Sequence, residues 1–149
     1  VLGEALGTDT SSPRTESADA FRAAYVERVE SEPNGPGLAN SYDAAMIGLL
    51  AMEAAGEGAS GTDIAAAVAK VTDPDGTAIT ADTAGFATAK EVLAGGGTVS
   101  YQGATGNVRF DANGDVSAPA VVWSFTDAGT EEVEYLSLVE VDAFMAGLK

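Results

Sequence analysis

Between Tyr101 and Phe125 the sequence falls into short pieces that read as loop, strand and tight turn. A glycine-rich loop (Gly103, Gly106) precedes an alternating run, Val108, Arg109 and Phe110. The run meets Asp111, Asn113, Gly114 and Asp115, and after Pro119 comes the apolar stretch Ala120, Val121, Val122, Trp123, Ser124 and Phe125. Asn and Gly tolerate the positive φ of tight hairpin turns, so alternation bounded by them predicts a strand entering a turn. A second apolar strand over 133–139, joined to 121–125 by the turn 127–129, makes the end of the chain strand-rich.

The residues before this stretch read as helices. Residues 8–15 are rich in Thr, Ser and Asp with Pro13, and predict a loop. Ser17 opens a helix whose apolar stripe is Phe21, Ala24, Tyr25 and Val29. Residues 32–37, with Pro33, Gly35 and Pro36, break it. The next helix, over 44–55, is apolar nearly all round, which predicts burial on several sides; Asn40 or Ser41 can cap it and Asp43 suits its first turn. Thr62 and Asp63 open a third helix with Ile64, Val68 and Val71 inward. Residues 73–76 form a turn. A fourth helix over 83–93 turns Phe86, Ala89, Val92 and Leu93 inward, and residues 142–148 form a short last one. Closed α/β domains alternate helices and strands. Here the helices come first and have little sheet to cover, which predicts an α/β chain that is a portion of something longer.

Composition narrows the function. The chain of 149 residues is 46% hydrophobic, which favours a packed core over disorder. No apolar run reaches the ~20 residues a membrane-spanning helix needs. No basic segment followed by an apolar core opens the sequence, so no signal peptide is read; the chain is either mature or a piece. A formal net charge of −16 repels nucleic acid and anionic membranes, and suits a salt-rich or secreted setting. Without Cys or His, zinc sites of the usual kind, Ser-His-Asp triads and Cys nucleophiles are excluded, and no cofactor or metal is expected.

Several groups invite chemistry. Asp111, Asn113 and Asp115 superficially resemble a calcium loop, but no Glu follows at the required spacing, and a hairpin turn explains them. The loop 103–106 leads into a strand rather than a helix, so it lacks the geometry of a phosphate cradle. Glu131, Glu132 and Glu134, or Asp73 with Asp75, would serve a glycosidase only if they flanked a pocket. In a chain this acidic such pairs arise without function. Val121, Trp123 and Phe125 alternate as one core face.

Taken together these motifs resemble the C-terminal part of the type I periplasmic solute-binding proteins of branched-chain amino acid ABC transporters. The resemblance rests on Tyr101 with Gly103, Ala104, Thr105 and Gly106; on Phe110, Asp111, Asn113, Gly114 and Asp115; and on Trp123 in the following strand. Phe21 and Tyr25, the Pro-rich break, residues 40–45 and Glu53 to Gly56 extend it over most of the chain. It implies the C-terminal portion of a two-lobed, Rossmann-like α/β fold. Residues 1–118 would complete one lobe, and 119–149 would cross the hinge and add strands to the other. The function implied is binding, not catalysis: a branched-chain amino acid or related small polar ligand is held as the lobes close, and is delivered to the membrane subunits of an ABC importer. The setting implied is periplasmic or extracellular, a membrane-anchored lipoprotein included. The aromatic before Asp-Ala-Ala lies near the cleft in that family, which makes Tyr42 a ligand-binding candidate, with Asn40 and Ser41 offering donors beside it. Each also has a plain structural role, Tyr42 as a core or rim aromatic and the other two as helix caps. A stand-alone acidic interaction domain, a receptor or regulator ligand-binding domain and a carboxylate hydrolase are the alternatives.

Overall fold

The computed structural model describes residues 5–11, 13–33, 37–111 and 113–148. In chain order the elements are β1 (Leu6–Thr10), α1 (Glu16–Val29), α2 (Leu38–Ala55), α3 (Gly61–Val71), β2 (Thr77–Thr80), α4 (Thr83–Ala94), β3 (Val99–Gly103), β4 (Gly106–Asn107), β5 (Ala120–Thr126), β6 (Gly129–Leu136) and α5 (Leu138–Gly147). They form two compact units, Arg14–Val116 and one built from the segments before and after it.

The larger unit is a small three-stranded sheet, ordered β2-β3-β4, with helices packed on it. β2 and β3 are parallel and joined through α4, while β3 and β4 form an antiparallel hairpin. β2 is a strand the sequence pattern hides. It is four residues long, between the turn at 73–76 and the Asp82 cap of α4, and only Ile79 of its side chains is fully buried. The core is the apolar face of α2 (Ile47, Leu50, Ala51) against Ala67 and Val71 of α3 and Val99 and Tyr101 of β3. Local signals agree with these boundaries. Thr15 caps α1, Ser60 and Asp63 form a reciprocal capping box on α3, and Asp82 caps α4.

α2 departs from its sequence reading in three ways. It begins at Leu38 with Gly37 at the N-cap, so Asn40 and Ser41 are not caps but exposed residues inside the helix. Asp43 consequently falls in the second turn and is buried. The helix is also buried on one side only, with Leu49 and Met52 more than half exposed on the other. Residues 108–110 likewise form no continuous strand; Phe110 makes a single bridge to Val116 across the turn 111–115.

The smaller unit is an antiparallel sheet ordered β1-β5-β6, with α5 following β6. β1 occupies residues the composition assigns to a loop. Its polar side chains suit an edge strand, and Gly7 leaves room for the Trp123 indole, which lies where a Cβ would stand. Trp123 and Phe125 meet edge to face at 5.0 Å on a half-open surface rather than in a closed core. β6 ends at Leu136 because Ser137 and Glu140 form the capping box of α5. None of the described residues of α5 is buried, and Val139, Phe144 and Met145 stand in the open.

Candidate functional site

In a parallel α/β sheet, ligands meet the carboxyl ends of the strands, where loops and helix N-termini converge. In the larger unit that end is built from Thr80, Ala81 and Asp82 after β2, from Gln102 and Gly103 at the close of β3, and from the first turns of α1 and α4. Ser17 ties them together. Its hydroxyl donates to the Gln102 carbonyl and accepts the Ala81 N–H at 3.1 Å, joining α1 to both strand ends. Asp82 accepts the Gly85 N–H at 2.7 Å and the Thr80 hydroxyl at 2.8 Å. These hydrogen bonds, the backbone one foremost, hold its carboxyl below the usual range.

Tyr42 reaches this end from α2. Its ring packs against Phe21 with centroids 4.8 Å apart, and its hydroxyl lies 3.4 Å from the Ala81 carbonyl. That distance is long for an O–H donor, so the hydroxyl is only weakly engaged. Burial, followed by the charges of Asp43 and Asp82, raises its pKa, so it remains a neutral donor. The two other candidates separate from it. Asn40 and Ser41 lie on the exposed part of the first turn, while Tyr42 turns inward.

One residue further, Asp43 carries the feature that sequence reasoning passed over. The side chain is 3% exposed and its carboxylate is surrounded by donors. Oδ1 accepts the Tyr101 hydroxyl at 2.9 Å and the Ala104 N–H at 2.8 Å; Oδ2 accepts the Thr105 N–H at 2.8 Å and its hydroxyl at 2.6 Å. A buried charge is tolerated when hydrogen bonds replace its hydration, and here four do so. The carboxylate fixes the 103–105 turn at the end of β3. Gly103 is required there, since an added Cβ would overlap the carboxylate. Tyr101 is held strongly in its neutral form, first by burial and then by the Asp43 charge. The spacing Asp43…Tyr101-x-Gly-Ala-Thr was present in the sequence, but nothing local says that residues about sixty apart meet.

The remaining candidates have structural explanations. Asp111 accepts the N–H groups of Asn113 at 2.8 Å and Asp115 at 2.9 Å, which makes the 111–115 segment a hydrogen-bonded turn. Asp73 accepts the Thr98 hydroxyl at 2.7 Å and the Asp75 N–H at 3.0 Å, and these bonds lower its pKa, the opposite of what a general acid needs. Glu131, Glu132 and Glu134 lie exposed along the edge strand β6, where charge discourages edge-to-edge pairing.

No protein-family model matches the sequence, and comparison with curated proteins gives no match. Among solved structures, the chain is similar to a leucine-binding protein, LivK, from Thermotoga maritima MSB8, with a TM-score of 0.56 and 22% identity. The match covers 91% of this chain and 31% of that one, so the chain spans about a third of its structural neighbour. The likeness is one of fold: a mixed α/β chain matching a fragment of a type I periplasmic binding protein. Among the described residues no helix is long and apolar enough to cross a membrane.

Proposed function

We propose that the chain is part of an extracytoplasmic solute-binding protein that presents a branched-chain amino acid, or a related small polar ligand, to the membrane subunits of an ABC importer. The observation that carries this reading is Tyr42, a weakly engaged neutral donor beside Ala81 at the carboxyl end of a parallel sheet, in a fold similar to that of a leucine-binding protein. In this reading Arg14–Val116 supplies one ligand-facing wall. The segment from Pro119 would cross the hinge to a second lobe; β1, which the resemblance puts in the first lobe with the rest of 1–118, pairs with β5 and is assigned here to that second lobe. Asn40 and Ser41 are the weaker part of the proposed site; they would act only by reaching over the first turn of α2. The exposed apolar residues of α5 agree with a chain that is covered by further protein. The ligand is bound and released unchanged.

The reading is tested by thermal unfolding of the 149-residue chain with leucine, isoleucine and valine, against glutamate and glucose as controls. A ligand at about a hundred times its Kd stabilises the native state by about 2.7 kcal/mol, a readily measured shift. Leucine is expected to raise the midpoint, and Tyr42→Phe to weaken that effect about tenfold in apparent affinity while leaving the ligand-free midpoint in place. No shift with any of the three aliphatic amino acids overturns the branched-chain reading, and a shift with glutamate instead moves the proposal to a more polar ligand.

A further inference from the structure

The turn 111–115 places an asparagine directly before a glycine, Asn113 and Gly114, with both residues exposed. An asparagine side chain can close onto the backbone nitrogen that follows it, and the next side chain is the main obstacle. Gly114 has none, stands at φ 86°, and has nothing within 4 Å of the place a Cβ would take. The nitrogen after Asn40 belongs to Ser41 and is bonded within α2, and the one after Asn107 belongs to the β-branched Val108 and is bonded to Tyr101 of β3. A second turn of the same construction lies at 73–76. There the Asp73 carboxylate accepts the Asp75 N–H at 3.0 Å, and its carbonyl accepts the Gly76 N–H at 3.1 Å. Gly76, however, is pressed against the backbone of Thr98 and Val99, and Asp75 offers a carboxylate, which resists attack by a nitrogen.

Asp111 engages both groups that would react. Its carbonyl accepts the Gly114 N–H at 3.1 Å, and its Oδ2 accepts the Asn113 Nδ2 at 3.3 Å. Its Oδ1 also accepts the N–H groups of Asn113 at 2.8 Å and Asp115 at 2.9 Å. Ring closure needs the Gly114 nitrogen free and the Asn113 amide turned onto it, so it proceeds from the opened turn. The backbone bonds from Asp115 and then Asn113 hold the Asp111 carboxyl below its ordinary range, which keeps the clamp charged at neutral pH.

We propose that Asn113 is a site of spontaneous backbone modification, with Asp111 as the positioning residue that sets its rate. The Gly114 nitrogen gives its proton to solvent and bonds to the Asn113 Cγ. The Cγ–Nδ2 bond breaks, and that nitrogen takes a proton from water and leaves as ammonia. Water then opens the cyclic imide at either carbonyl. Breaking the new bond gives an aspartyl residue; breaking the original peptide bond gives an isoaspartyl link, with the main chain running through Cγ. The reaction needs water alone and no partner. Either product adds a negative charge beside Asp111 and Asp115, and the isoaspartyl one lengthens the main chain inside the turn that brings Phe110 to Val116.

The test is to age the full 149-residue chain at neutral and mildly alkaline pH, cleave it after Arg109, and follow the peptide 110–149 by mass spectrometry. Asn113 is the sole asparagine of that peptide, so Asn34, which precedes Gly35 outside the described residues, is read separately. Exchange of the amide for an acid, with uptake of heavy oxygen from labelled water, is expected and should quicken as pH rises. Asn113→Gln, which would have to close a larger ring, is expected to stay intact. Asp111→Ala, checked for folding by circular dichroism, should react about tenfold faster, and Asp111→Asn, which keeps an accepting oxygen, should retain most of the protection. In urea the unsubstituted chain should react about tenfold faster than when folded, and both Asp111 variants should match it there. An Asn113 that stays intact in the folded chain and in urea overturns the site. Equal rates in the folded and urea-unfolded chain overturn the role of Asp111 and leave only the ordinary reactivity of an Asn-Gly pair.

Discussion

The Asp43 carboxylate accepts the Tyr101 hydroxyl at 2.9 Å across 58 residues of chain, and with Ala104 and Thr105 this closes a buried polar knot between α2 and the end of β3. Asp43→Asn places an NH₂ group against backbone N–H donors that cannot turn away. Urea unfolding is expected to show a loss of about 3–5 kcal/mol. Tyr101→Phe removes one donor of four and should cost less, about 1.5–3 kcal/mol. The double variant should cost less than the sum, since the shared bond is lost only once. Strict additivity would mean that the two residues do not interact in solution.

Two glycines give opposite signs. At Gly103 an added methyl overlaps the Asp43 carboxylate, so Gly103→Ala is expected to destabilise by about 1–3 kcal/mol. At Gly48, inside α2, nothing lies within 4 Å of the added carbon. Gly48→Ala should therefore stabilise by about 0.5–1 kcal/mol through helix propensity alone. Denaturation midpoints that move in the same direction for both would contradict this account of the packing.

How much of this was legible beforehand depends on the range of the interaction. Caps and turns act within four residues, so the sequence announces the α3 start to within a residue or two (Thr62 and Asp63 expected, Ser60 cap and Gly61 start observed) and the hairpin between β5 and β6. β1 and β2 are short strands whose pairing partners lie far along the chain, at residues 120–124 and 99–102, and no local periodicity marks them. The local pattern misplaces Asp43 because polar residues such as Asn40 and Ser41 mark a helix start, whereas Gly37 opens α2. That shift of one turn converts Asp43 from a dipole partner on the surface into the buried anchor of the 103–105 turn. Tyr42 could be singled out only through resemblance. Its weak hydrogen bond to Ala81 is a tertiary fact.

Acid should loosen the larger unit through Asp82. Its pKa is lowered from 3.8 by the Gly85 N–H and the Thr80 hydroxyl. A depressed folded-state value contributes stability that is complete above 3.8 and is lost as pH falls through the folded value. Urea midpoints are expected to drop below about pH 4. Asp82→Asn keeps a capping oxygen and should reduce that slope while costing little at neutral pH. An unchanged slope in the variant would assign the acid transition to other carboxylates.

α5 carries Val139 at 77% and Phe144 at 67% exposure, with no buried residue among those described. Side chains that touch little contribute little, so Val139→Gln and Phe144→Gln are each expected to change unfolding free energy by less than about 0.5 kcal/mol. Both should lower the binding of a hydrophobic dye and slow the association of the chain at high concentration, because they break up an apolar patch. A much larger loss of stability, growing with protein concentration, would show that α5 is packed in solution against a second copy. In that event the patch would be an interface whose stability depends on protomer concentration.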